Sequence, residues 1–115
     1  MKSENEFIKE LKSYWPKDWQ DKEPTRSTIA LVDLAVSEYP QSEKLWIMRG
    51  DLYQLINDEE PTPLDESLRC YEKAIKINPR SSEAYFEKAT FIDLHMGKPR
   101  KAKQYYHKSR LLKNA

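Results

Sequence analysis

The sequence predicts an all-α chain built from helical hairpins that repeat along its length. Three observations predict it. Only two of the 115 residues are glycine, Lys, Glu, Leu and Ala are common, and no stretch alternates apolar and polar residues as a half-buried strand does. Apolar and small residues recur at gaps of four and three, which is one face of a helix: Trp46, Gly50 and Tyr53, then Ser67, Tyr71 and Ala74. These faces return at a fixed period. The length suits one domain, 1–115, and so short a chain buries a thin core, so each hairpin must lean on its neighbours.

A first helix is expected from about Glu4 to Tyr14, with Phe7, Leu11 and Tyr14 as its apolar stripe. Trp15-Pro16 ends it, because the residue before a proline is pushed out of the helical region. Pro24 stands near the start of the second helix, where its missing N–H costs nothing. Thr28, Val32 and Ala35 face inward there, and Tyr39-Pro40 closes the helix after Glu38. Ser42 caps the third helix through its hydroxyl, and that helix ends near Ile56. Thr62-Pro63-Leu64-Asp65 opens the fourth with a cap, a first-turn proline and an acid at the positive end of the dipole. Pro79 stops it after Asn78. Ser81 caps the fifth, which turns Tyr85, Ala89 and Ile92 inward and ends on Gly97 as a left-handed cap. Pro99 opens the sixth, which carries Ala102, Tyr106 and Ser109.

The period is 39 residues. Phe7, Leu11 and Tyr14 precede Trp46, Gly50 and Tyr53 by 39, and these precede Tyr85, Ala89 and Ile92 by 39. Thr28, Val32, Ala35 and Pro40 precede Ser67, Tyr71, Ala74 and Pro79 by the same step. The last step, from Ser67, Tyr71 and Ala74 to Ala102, Tyr106 and Ser109, is 35. The repeats are approximately 4–40, 42–79 and 81–115.

These residues resemble the tetratricopeptide repeat (TPR) family. Its motif asks for a large aromatic, a small residue and an aromatic on the first helix, then small, aromatic and small residues before a proline on the second. The resemblance implies a TPR-like α-solenoid of three helical hairpins, six antiparallel helices in all. Leu11 departs from the motif where a small residue is asked for. The first two hairpins also carry roughly five extra residues between their helices, by comparison with a family repeat of about 34. No further helix follows the last hairpin, which leaves its outer side to be solvated, self-associated or covered by a partner.

The resemblance further implies a non-catalytic protein–protein interaction scaffold or adaptor that binds a peptide or helix on a concave face lined by the first helices. The implied groove positions are Ile8, Ile47 and Phe86, then Lys12, Asp51 and Thr90, then Trp15, Gln54 and Asp93. Ile8, Ile47 and Phe86 can equally be ordinary core. Some relatives clamp a terminal carboxylate with basic and asparagine side chains. Here Ile47, Asp51 and Phe86 stand at those positions, and Asp51 would repel the ligand, so no such clamp is expected.

Charge gives a rival signal. Seven of the 20 basic residues and none of the 19 acidic ones lie in 98–115. Lys98, Arg100, Lys101, Lys103, Lys108 and Arg110 could meet RNA phosphates or an acidic protein, but a solvated face is the favoured reading, and nucleic acid is not the expected partner. A homodimer through the uncovered C-terminal hairpin is a third reading. Trp15 and Trp19 are expected to fold back over the N-terminal edge.

Cys70, the single cysteine, excludes an internal disulfide and reads as packing beside Tyr71 rather than as a nucleophile. His95 and His107 have no metal-ligand spacing, no glycine-rich loop could cradle phosphate, and Asp58-Glu59-Glu60 lacks the pattern of a calcium loop. No catalysis and no cofactor are expected. The N-terminus has no signal-peptide run, and no stretch approaches the roughly 18 apolar residues of a membrane span, so the cytoplasm is the expected compartment.

Overall fold

The computed structural model describes residues 2–15, 26–55 and 65–114. Among them are six helices and no strand: α1 (Glu4–Ser13), α2 (Arg26–Glu38), α3 (Glu43–Leu55), α4 (Asp65–Ile77), α5 (Ser82–Met96) and α6 (Pro99–Lys113). Pro16, Trp19, Pro24, Ile56, the Asp58-Glu59-Glu60 run and the Thr62-Pro63-Leu64 start signal lie outside the described residues. None of the six helices is long and apolar enough to cross a membrane.

The starts of α1, α3 and α5 are chemically alike. Ser3, Ser42 and Ser81 stand 39 residues apart, and each hydroxyl accepts the amide three residues on, from Glu6, Leu45 and Ala84 at 3.1, 3.3 and 3.2 Å. Such a cap contributes about 1 kcal/mol. The sequence reading found Ser42 and Ser81 and missed Ser3, which the same period marks. Gly97 ends α5 with φ 62°, the left-handed region that favours glycine, and the Lys98 amide reaches back to the Ile92 carbonyl at 3.3 Å.

Packing runs serially along the chain. The first core cluster joins Phe7 and Leu11 of α1, Val32, Ala35 and Val36 of α2, and Leu45, Met48 and Leu52 of α3. The second joins Ile47 of α3, Tyr71 and Ala74 of α4, and Ala84 and Phe91 of α5. Trp46 packs against both. Gly50 is required at its position by close approach: a Cβ there would sit 2.6 Å from Cε1 of Tyr71. The Ser67 hydroxyl then donates to the Gly50 carbonyl at 2.8 Å, so the small residues of the repeat let α3 and α4 touch.

Four expected inward residues are displaced, among them Tyr85, which is half-buried and stacks on Tyr105 with ring centroids 6.3 Å apart. Tyr14 is 53% exposed, because α1 ends at Ser13 and Tyr14 is its cap. Trp46 and Tyr53 are half-buried, with polar tips that find partners at the surface: the indole N–H donates to the Pro40 carbonyl at 2.9 Å, and the Tyr53 hydroxyl bonds Asp33. Leu45, Met48 and Leu52 take the core positions of α3 instead.

Candidate functional site

The groove positions divide into three groups. Ile47 is 1% exposed and belongs to the second core cluster, which corrects its assignment to the groove: Tyr71, Ala84 and Phe91 already occupy the space around it. Ile8 is half-buried against the first cluster. Phe86, by contrast, is 50% exposed, its ring edge-on to Tyr106 with centroids 5.6 Å apart.

Gln54 and Thr90 serve the fold. The Gln54 amide donates to the Tyr71 hydroxyl, and its carbonyl lies 3.1 Å from Nε2 of His95. The Thr90 hydroxyl donates to the Phe86 carbonyl at 3.0 Å and receives a bond from Tyr106 at 3.3 Å. Asp93 is half-buried on α5.

Lys12, Trp15 and Asp51 do come together. With Lys44, Met48 and Glu83 they line a depression of about 350 Å³ across α1, α3 and α5. Trp15 also packs against the first core cluster; Trp19 is not among the described residues. The charges of this face are mixed, with Lys44 paired to Glu83 at 2.9 Å.

Below the depression lies a buried polar chain that sequence reading did not find. The Tyr71 hydroxyl donates to Oδ1 of Asp51 at 2.6 Å, and Asp51 shares a hydrogen bond with Glu87 of α5. Burial, and then the charge of Asp51, push the Glu87 carboxyl up to about 8, and burial raises Asp51 as well. Glu83 adds to the rise and Lys44 opposes it. The pair therefore holds one proton at neutral pH. Because the folded state binds that proton more tightly than the unfolded chain, the contribution of this pair to stability is fully present below the ordinary carboxylate range and is lost as pH rises toward 8. Glu87→Gln is expected to flatten that slope and raise stability at pH 8.5 by about 1 kcal/mol, allowing for screening at a partly exposed site, as read by urea melts across pH 5–9.

On the opposite side Arg49 ties three helices together. Its Nε donates to Asp33 of α2 at 2.8 Å, and its Nη1 donates to Glu66 and to Sγ of Cys70 of α4 at 3.2 and 2.9 Å. Cys70 is fully buried, and burial pushes its thiol up to about 11, so it stays protonated at neutral pH and acts in packing. All six cations named on the basic segment are exposed. Lys103 and Arg110 alone among them border the crevice between α5 and α6, beside Phe86, Tyr106 and Ser109.

Residues 70–104 match the family model described as tetratricopeptide repeat. Comparison with curated proteins and with solved structures returns no match. The matched stretch runs from Cys70 on α4 through α5 into α6, so it spans the packing of Tyr71 and Ala74 against Ala84 and Phe91. Repeats of this family generally mediate protein–protein interaction. The six described helices are all-α, and with the match over 70–104 they are consistent with a small TPR-like array of helical hairpins.

Proposed function

We propose that the chain is a non-catalytic adaptor, working in the cytoplasm, that holds a peptide or helix of a partner protein on the concave face lined by its first helices. The observation that carries the reading is the depression in which Lys12 and Asp51, one repeat apart, converge beside Trp15. Trp15 and Met48 offer an apolar wall for an anchoring side chain, and Lys12 and Asp51 offer one charge of each sign beside it. The reading needs no cofactor.

Affinity capture from a lysate of the source organism, followed by mass spectrometry, tests it. Wild type would be run beside Lys12→Glu/Trp15→Ala, with far-UV circular dichroism establishing that the variant is folded. The expected result is a protein captured by wild type and lost, or reduced at least tenfold, with the variant. Equal capture by both would remove the groove as the binding surface.

A further inference from the structure

We propose that the crevice between α5 and α6, uncovered among the described residues, docks an amphipathic helix of a partner protein whose apolar face is flanked by acidic side chains. One hairpin earlier, the equivalent surface is already covered. There Ile47, Tyr71 and Ala74 receive α5 through Ala84 and Phe91. Shifted by 39 residues on the first helix and 35 on the second, those three positions become Phe86, Tyr106 and Ser109. These are the residues that line two adjoining depressions of about 460 and 510 Å³ on the last hairpin. Among the described residues nothing covers them, and Phe86 is 50% exposed where its counterpart Ile47 is 1%.

The two ends of the array are built differently. On α1 the positions equivalent to the inward Leu45, Met48 and Leu52 of α3 are Glu6, Lys9 and Ser13, all exposed, so the N-terminal end wears a polar face. The C-terminal end keeps its aromatic floor. Its rim shows what the floor would receive. Leu68 and Ile75, which flank the covered surface, become Lys103 and Arg110 on the open one, and Lys113 joins them; Glu83 also borders it, its charge met by Lys44 at 2.9 Å. Cations at those positions favour a helix with acidic flanks and oppose a second copy docked face to face, since that would bring Lys103, Arg110 and Lys113 against their own kind. The surface adjoins the depression at Lys12 through Glu83, which borders both, while its aromatic floor and its cations belong to α5 and α6 alone.

The test uses the full chain and a fluorescein-labelled, hydrocarbon-stapled peptide of residues 82–96 carrying Lys88→Glu and His95→Glu, the helix that the chain lays on the equivalent surface, made more acidic. Titration followed by fluorescence anisotropy is expected to show saturable binding. Lys103→Glu/Arg110→Glu should weaken it at least tenfold, Phe86→Ser should weaken it as well, and Lys76→Glu, at an exposed position of α4, should leave it unchanged. Because Lys103 and Arg110 are exposed, the charge-reversal pair keeps the test decisive even where Phe86→Ser fails to fold. Absence of binding, equal binding of the peptide carrying Glu83→Lys, Glu87→Lys and Asp93→Lys, or full binding by the charge-reversal pair would overturn the proposal. So would a dimer in sedimentation velocity that Phe86→Ser abolishes, which would assign the crevice to a second copy. An RNA oligonucleotide that binds where the peptide does not, and is lost with the same charge reversals, would assign it to nucleic acid.

Discussion

Tyr71→Ala is expected to leave most of the chain unfolded at 37 °C. The ring is fully buried between α3 and α5 and lies against Gly50, while its hydroxyl joins Asp51 and Gln54. Removing such a ring leaves a cavity costing about 3–5 kcal/mol, and a buried carboxylate that loses its donor adds about 1–3 kcal/mol. A small domain has only about 5–15 kcal/mol in total. Thermal melts should show a Tm lower by about 15 °C or more, or no cooperative transition. Gly50→Ala is expected to cost about 1–3 kcal/mol alone, through the contact its Cβ would make with Tyr71. In the Tyr71→Ala background that cost should vanish, since the ring is gone and alanine is the better helix former. Additive losses in the two backgrounds would show that this contact is not what demands glycine.

Ile47→Glu should be nearly as damaging, and for a reason that bears on function. A carboxylate at this 1% exposed position would be walled in by Tyr71, Ala84 and Phe91. Burial of an unpaired charge costs several kcal/mol, or forces protonation at a similar cost. Loss of partner binding in this variant would therefore report unfolding and not a contact. Circular dichroism and urea melts check this directly: a cooperative, near-wild-type midpoint would place Ile47 at the surface. Lys12 is exposed, so Lys12→Glu can be read as a binding variant without that ambiguity.

The sequence carried the array because packing between hairpins is written in residue size. Gly50, Ser67, Ala74, Ala89 and Ala102 mark close approaches, Tyr71 fills the gap between them, and prolines and serines punctuate the ends. What spacing could not decide was depth. Ile47 and Phe86 occupy the same position in successive repeats, yet one is covered by a following helix and the other is open. The period alone treats them as equals. The polar chain through Asp51, Tyr71 and Glu87 was also hidden, since each acid reads as a surface residue until the facing helix is placed. Arg49 gave no signal either: it sits among apolar neighbours, and only the arrival of Asp33 from α2 and of Glu66 and Cys70 from α4 explains it.

The crowding of cations onto α6 has a consequence for encounter as well as for contact. Residues 98–115 hold seven positive and no negative side chains, and the rest of the chain holds 13 positive against 19 negative. The molecule is therefore an electric dipole, though its net charge is only +1. An approaching acidic surface exerts a torque on it before any atoms touch, turning the α6 end forward. At physiological salt that torque acts over about 8 Å, so it selects the orientation of molecules already near collision and does not gather them from afar.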